Sequence, residues 1–365
     1  MNHEKLPAEL RETESGWRSA IAACADRLGQ SAIAFVSGEG GGWIDSAIEV
    51  ATGQTITLLA DGQVWLSREA NLAFPPSVGL WYRIGDGPVT RCVSNTGTFI
   101  AERSGRLHLI AKPPGEWADP AGNFLAEYPH AGASGGFIVA VLVWSGDIDA
   151  GMSAFASRDA SGIAQAERIR RATEKPLPRG WSPLWRLGQN SSFHQDHAAD
   201  GRRVLSCRCE NDAAIVKYPV DIAIADDARL AWSWRVDEIP SQHPENTTAT
   251  HDYLSIAVEF ENGQDLTYYW SAALPVGTSF TCPLSWWDKH ETHVVARSGV
   301  SELSRWIGED KPILEDYRRA VGGAVPKRAV GVWLIAVSAF QRRLGQAAYR
   351  DIQLNTGGVN LWIGP

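Results

Sequence analysis

The sequence predicts an all-β protein built from two β-sandwich, jelly-roll-like domains, with an N-terminal helix and a helical linker. Three observations carry this expectation. Short runs in which apolar and polar residues alternate recur along the chain, separated by Gly- and Pro-containing turns, as in antiparallel strands with one face buried. A length of 365 residues is natural for two cores rather than one. Between the two series of strands, residues 145–178 are rich in small and charged side chains and close on Pro176 and Pro178, which is linker composition.

Composition narrows the function classes. Hydrophobic residues make up 44% and charged residues 21%, ordinary for a globular protein. The net charge is −8 and the basic residues are dispersed, so no nucleic-acid partner is expected. No apolar run approaches the roughly 18 residues of a membrane span, so no membrane partner is expected. The N-terminus is charged and lacks a hydrophobic stretch of signal type, so the expected location is cytoplasmic. Cys24, Cys92, Cys207, Cys209 and Cys282 are odd in number and scattered. Cys207 and Cys209 share one strand face and suit neither a zinc knuckle nor a CxxC redox pair, so the thiols read as buried and reduced. Against this ordinary background stand 16 tryptophans and only 2 methionines. Exposed rings would suit the flat apolar faces of sugars.

Residues 8–28 predict a helix, because Trp17, Ile21, Cys24 and Leu28 form one stripe and Gly29 follows as a stop. Strands are expected at 32–36, 44–50, 55–60, 79–84, 98–101, 106–111 and 137–144. Turns at Gly40-Gly41-Gly42, Pro75-Pro76, Gly85–Pro88 and Pro113-Pro114-Gly115 separate them. The runs ATGQTITLLADGQVWLS, VGLWYRIGDGPV, GRLHLIAKPPGEWADPAG and GGFIVAVLVW, within about 30–146, resemble the PA-I (LecA-type) galactophilic lectin sandwich. In that family the loop that follows the strand of the third run, with its Pro-Gly turn, binds calcium, and the calcium binds the sugar. Here Lys112 stands where an acidic ligand belongs. No cofactor is therefore expected, and Glu116 and Asp119 are the residues left to a calcium ion.

The 147–178 segment predicts one helix around Ile163, Ala166, Ile169 and Arg170, starting near Asp159 or Ser161. Strands resume at 204–209, 214–218 and 230–236, where Leu230, Trp232, Trp234 and Val236 form an inward face. At 252–260, Leu254, Ile256, Val258 and Phe260 point one way, and Tyr253, Ser255, Ala257 and Glu259 the other. Further strands are expected at 266–270, 292–297, 330–337 (a central strand, being almost wholly apolar) and 349–354. Pro312 starts a short helix with Ile313, Leu314, Tyr317 and Val321 buried, and Gly322-Gly323 stops it. The motifs LAWSWRVDEIP, HDYLSIAVEFENGQDLTYYW, ETHVVARSG, LEDYRRAVG and AYRDIQL, over about 180–356, resemble the bacterial family catalogued as domain of unknown function 3047. The resemblance implies a galactose-binding-like jelly roll over 179–365 and no particular activity. Many members carry an acidic pair after the late central strand, where this chain has Ala336–Gln341, so a site built on that pair is not expected.

The candidate site is the polar face of the 252–260 strand. Tyr253 and Glu259 lie on it, with Asp252 at the strand's start, Arg235 on the polar face of its own strand, and His293 and Arg297 sharing a face on theirs. A carboxylate beside a histidine can orient it for acid–base work, and arginines can hold an anionic group. The competing reading of this set is salt-bridged residues on a solvated sheet. Trp270, Trp286 and Trp287 are candidates to stack on a ligand. His290 and His293, spaced i and i+3, face opposite sides of a strand, as do His194 and His197. A metal would thus need His251, Asp252 or Glu259 as well, and none is expected. No nucleophile elbow, phosphate loop or dinucleotide fingerprint is present. The leading expectation is recognition of a carbohydrate or similar small molecule by the C-terminal sandwich, with the lectin-like sandwich as accessory. A second is a hydrolase or lyase with His293, Asp252 and Glu259 as catalytic residues and Arg235, Tyr253, Trp270, Trp286, Trp287 and Arg297 holding substrate. A third is a protein-interaction scaffold, with aromatic faces packed between subunits of a homo-oligomer.

Overall fold

The computed structural model describes residues 6–39, 42–125 and 132–365. Part of the expected glycine turn, Gly40-Gly41, lies outside them. The chain forms two units, Met1–Glu174 and Lys175–Pro365.

Among the described residues the first unit has nine strands: β1 (Leu28–Ser37), β2 (Ile44–Val50), β3 (Thr55–Ser67), β4 (Leu72–Phe74), β5 (Leu80–Ile84), β6 (Thr90–Arg91), β7 (Thr96–Ile100), β8 (Gly105–Ala111) and β9 (Ser134–Trp144). One sheet runs β1-β9-β3-β4 with β7 also on β3, and a second runs β2-β8-β5-β6. Helices are α1 (Arg11–Ala23), the single turn α2 (Pro76–Gly79), α3 (Ile148–Ala156) and α4 (Ile163–Thr173). Strand β9 is apolar along nearly its whole length. Its Ile138, Ala140, Leu142 and Trp144 pack with Trp17 and Ala20 of α1, Met152 and Phe155 of α3, and Ala164 of α4.

Two expectations need correction here. The N-terminal helix does not reach Leu28. It ends at Ala23, and Leu28 already pairs with Trp144 in β1, where the ladder satisfies backbone groups that a longer helix would have used. Nor is 147–178 a free linker. Asp147 caps α3 by accepting from the backbone N–H groups of Asp149 and Ala150. Asp159 accepts from the Trp17 indole at 3.1 Å and from Ala164 N at 2.8 Å, fixing the turn between α3 and α4. Both helices thus belong to the first unit, and residues 174–181 form no helix or strand.

The second unit holds β10 (Ser182–Pro183), β11 (Phe193–His197), β12 (Arg203–Glu210), β13 (Ala213–Ala223), β14 (Arg229–Glu238), β15 (Tyr253–Phe260), β16 (Asp265–Ser271), β17 (Ser279–Thr281), β18 (Glu291–Ser298), β19 (Ile307–Pro312), β20 (Arg328–Val337), β21 (Leu344–Thr356) and β22 (Val359–Trp362), with α5 (Ile313–Ala320). A seven-stranded sheet runs β10-β13-β20-β15-β16-β18-β17, and a six-stranded sheet runs β11-β12-β21-β14-β19 with β22 on β21. Their facing sides make the core, which includes Trp232, Trp234, Ile256, Val258, Tyr268, Trp270, Leu334 and Tyr349. Pairing is antiparallel except between β16 and β18. Gly322 and Gly323, at φ 76° and 71°, end the helical segment after α5 as expected. All five cysteines are free and buried. Among the described residues no helix is long and apolar enough to cross a membrane.

Candidate functional site

Alternation along β15 works as the sequence implies. Leu254, Ile256, Val258 and Phe260 enter the core, and Tyr253 and Ala257 take the opposite face. That opposite face is not solvated. Leu184 and Leu187, then Leu284, Trp286, Trp287 and Phe340 from loops, cover it and pack with Tyr253, Tyr269, Val295 and Trp333.

Beneath this cover lies a group of titratable side chains. His251 lies two residues before the start of β15, and Cys282 immediately follows β17. Glu291 and His293, two residues apart on β18, share one face. The Cys282 backbone N–H donates to the Glu291 carbonyl at 2.9 Å, which sets the thiol beside the Glu291 side chain. One nitrogen, sulfur or carboxylate oxygen from each of the four residues lies within 4.8 Å of the others. Cys282 Sγ is 3.3 Å from His251 Nε2, and His293 Nε2 is 3.6 Å from Glu291 Oε1. His251 Nδ1 is 2.6 Å from the Glu245 carbonyl. A carbonyl only accepts, so Nδ1 carries the proton and Nε2 presents its lone pair to Cys282. Glu291 Oε1 also accepts from the Tyr253 hydroxyl at 3.0 Å. The Thr267 hydroxyl sits between carboxylates, 2.9 Å from Asp265 Oδ1 and 3.2 Å from Glu291 Oε1.

Burial dominates the electrostatics. Desolvation pushes the Glu291 carboxyl up to about 7, against hydrogen bonds from Cys282, Tyr253 and Thr267 that favour its anion. It raises Asp265 well above the carboxylate range, with the Glu291 charge adding to the effect. The same loss of water lowers His251 to about 4 and His293 well below its ordinary value, so both imidazoles are neutral at neutral pH. It also raises the Cys282 thiol.

The other expected site residues disperse. Asp252 is buried and accepts from the backbone N–H groups of Phe340 and Gln341 at 3.0 and 2.5 Å, anchoring the loop after β20. Glu259 pairs with Lys217 at 2.5 Å and accepts from the Trp333 indole at 3.2 Å. Trp270 is a core residue whose indole donates to the Gly299 carbonyl. Arg235 belongs to the six-stranded sheet, where Asp237 binds it at 2.9 Å. Arg297 leaves the His293 face because a register shift in the β16–β18 pairing sets it opposite Trp270. Its guanidinium reaches Glu309 at 2.6 Å. Trp287 is buried with its ring edge toward Trp333. Trp286 stays half-buried near the surface, its ring 4.5 Å from that of His290 and 3.9 Å from the Arg186 guanidinium. Arg186 also lies 4.9 Å from the ring of Trp185. In the first unit, Lys112 donates to Glu116 at 3.1 Å and Asp119 accepts from Asn123 at 2.7 Å, so both acids considered for calcium have partners.

Sequence reasoning held His293 and Tyr253 as site residues but missed Cys282 and Glu291. Glu291-Thr292-His293 on a strand is a pattern that puts both end residues on one face. Nothing local in the sequence marks the cysteine nine residues upstream as their neighbour.

No curated protein sequence matches this chain. Among solved structures, the EclA N-terminal domain, a PllA-like lectin, matches at 16% identity, covering 32% of this chain and 98% of that one, with a TM-score of 0.26. A family 30 carbohydrate-binding module of a cellulosomal cellulase of Clostridium thermocellum matches at 8% identity, covering 51% and 96%, with a TM-score of 0.26. Over residues 179–353, most of the second unit, the chain matches the model of the family described as protein of unknown function, DUF3047.

Proposed function

We propose that the second sandwich is a recognition module for a polyhydroxylated, carbohydrate-like ligand, held at the rim formed by Trp185, Arg186, Trp286 and His290, with the first sandwich as accessory. The observation that carries this reading is the stacked rim itself. Trp286 has its backbone in the left-handed region, at φ 72°, which is rare for a bulky side chain and costs on the order of 1–3 kcal/mol. That conformation sets the indole beneath the Arg186 guanidinium, and the stack fixes the direction of the guanidinium donors. Trp185, 37% exposed, offers a ring to the C–H face of a sugar while Arg186 donates to its hydroxyls.

A hydrolase or lyase built on His293 has less support. His293 is 0% exposed, and Asp252 and Glu259 are each engaged away from it. A reducing compartment suits five cysteines of which none is paired.

A glycan array followed by calorimetry on the full-length protein tests the reading. Trp185→Ala and Trp286→Ala should each weaken the best glycan at least about tenfold, as expected for the loss of a central aromatic contact, with the fold retained. Failure of the wild type to bind any glycan, or equal binding by both variants, would remove the proposal.

A further inference from the structure

We propose that His251, Cys282, Glu291 and His293 form a buried site for one divalent transition-metal ion of the zinc class. The proposal is independent of the rim described above, and four observations support it.

The first is spacing. In tetrahedral coordination, ligand atoms about 2.0–2.3 Å from the ion lie about 3.3–3.8 Å from one another. The sulfur–nitrogen edge between Cys282 and His251 is 3.3 Å, and the nitrogen–oxygen edge between His293 and Glu291 is 3.6 Å. The whole set spans no more than 4.8 Å.

The second is an unexplained polar group. Neither ring nitrogen of His293 makes a hydrogen bond among the described residues, although the side chain is wholly buried. The rings of His251, Tyr253, Tyr269 and Phe280 surround it, with centroids 4.8, 4.8, 5.6 and 5.0 Å away. Buried imidazole nitrogens without partners are costly, and a metal bond satisfies one of them.

The third is support from outside the four residues. The Glu245 carbonyl holds His251 in the tautomer that exposes Nε2. The Glu245 carboxylate is itself fixed by the Ser271 hydroxyl and the Ala272 N–H, each at 2.6 Å. Metal-binding histidines are oriented in this way, by a carbonyl or carboxylate on the second nitrogen.

The fourth is charge. Glu291 and Asp265 are buried side by side, and no lysine or arginine among the described residues pairs with either. Ionised, these carboxyls would have no basic partner, and a dication would supply one.

Ligand chemistry selects the ion. A thiolate with two imidazoles and one carboxylate suits zinc, cobalt and related ions and is poor for calcium or magnesium, which take oxygen ligands. On binding, the Cys282 S–H bond breaks, the sulfur–metal bond forms, and the proton leaves to buffer. Four protein donors and near-complete burial describe a closed, structural kind of site. The ion would join the segment before β15 to the β17–β18 edge, and Cys282 and Glu291 would pin both ends of the 283–290 loop.

The test uses full-length protein stripped by a chelator and titrated with Co²⁺ alone. We expect one equivalent per chain, with a thiolate-to-cobalt charge-transfer band that zinc displaces. Cys282→Ser should lose that band. His293→Ala should weaken uptake at least about tenfold, whereas surface His194→Ala and the rim variant Trp185→Ala should bind as wild type. No stoichiometric uptake, uptake without the thiolate band, or wild-type binding by both site variants overturns the proposal. Should the site variants fail to fold, X-ray absorption of the zinc-loaded wild type decides. A first shell with one sulfur at about 2.3 Å supports the site, and a shell without sulfur refutes it.

Discussion

His293 shows how burial changes the meaning of a residue. As a strand residue on a polar face, it is expected to be accessible and its removal nearly neutral for stability. In the fold it is enclosed by rings, with neither nitrogen hydrogen-bonded among the described residues. A buried polar group without a partner subtracts from stability, and an apolar group of similar shape in its place can be neutral or better. His293→Leu should therefore leave the melting temperature of chelator-treated protein unchanged or slightly raised. With zinc in excess the sign should reverse, because only the wild type gains from binding an ion, through mass action. Thermal melts with chelator and with zinc measure both arms. A loss above about 3 kcal/mol in the chelated state would mean that the imidazole packs well enough to outweigh its unpaired nitrogens. Glu259 is the opposite case: on the same strand face as Tyr253, its carboxylate is engaged by Lys217 and the Trp333 indole.

At the scale of elements, one buried carboxylate links α4 to the strands. Glu167 binds Arg170 at 2.8 Å within the helix and accepts from the Thr96 hydroxyl at 2.6 Å, tying α4 to β7. Desolvation pushes this carboxyl up, but the bonds from Arg170, Thr96 and Thr98 outweigh it and hold the group below its ordinary value of 4.5. For an acid depressed in the folded state, the stabilisation is fully present above the unfolded value and is lost as pH falls through the folded one. Glu167→Gln should cost about 1–3 kcal/mol at neutral pH. The difference from wild type should shrink in acid, as pH falls below the ordinary 4.5 and through the depressed folded value, where the wild-type carboxyl protonates. Denaturant titrations at both pH values check this, and an equal gap at both would show that charge is not what holds the helix. The sequence disclosed the strands of both cores, because a period of two is imposed by the pleat wherever one face is buried. It did not disclose β4, β6, β10, β11, β17, β19, β22 or α3, which are short, lie at edges or outside the sheets, and are placed by tertiary contacts. The site was half legible for the same reason. Tyr253 and His293 follow from strand parity, but Arg297 is turned away by a register shift and Cys282 arrives just after an edge strand. Neither event leaves a local mark.

At the scale of the molecule, each unit carries its own sheets and its own buried core, the first around β3 and β9 and the second between its six- and seven-stranded sheets. Independent cores joined by an irregular segment predict independent folding. The helices at 148–173 have the composition of a linker yet are held by Asp147, Asp159 and Glu167, and Met152, Phe155 and Ala164 are buried. Between Glu174 and Trp181 there is no helix or strand, and Glu174, Lys175, Pro176, Arg179 and Gly180 are exposed. Pro178 is nevertheless buried, and the Pro176 carbonyl accepts from the Gln195 N–H at 2.8 Å. Trp181 is buried with its ring edge toward Tyr218. Backbone that lacks regular structure and burial is where proteases cut first. Brief digestion of the native protein with a protease of broad specificity should therefore cleave within 174–180 and spare 148–173. The two fragments should then each unfold cooperatively in separate thermal melts. Early cleavage inside α3 or α4 would show that the buried anchors are weaker than their geometry implies. Loss of cooperative unfolding in either fragment would show that its core is incomplete without the other.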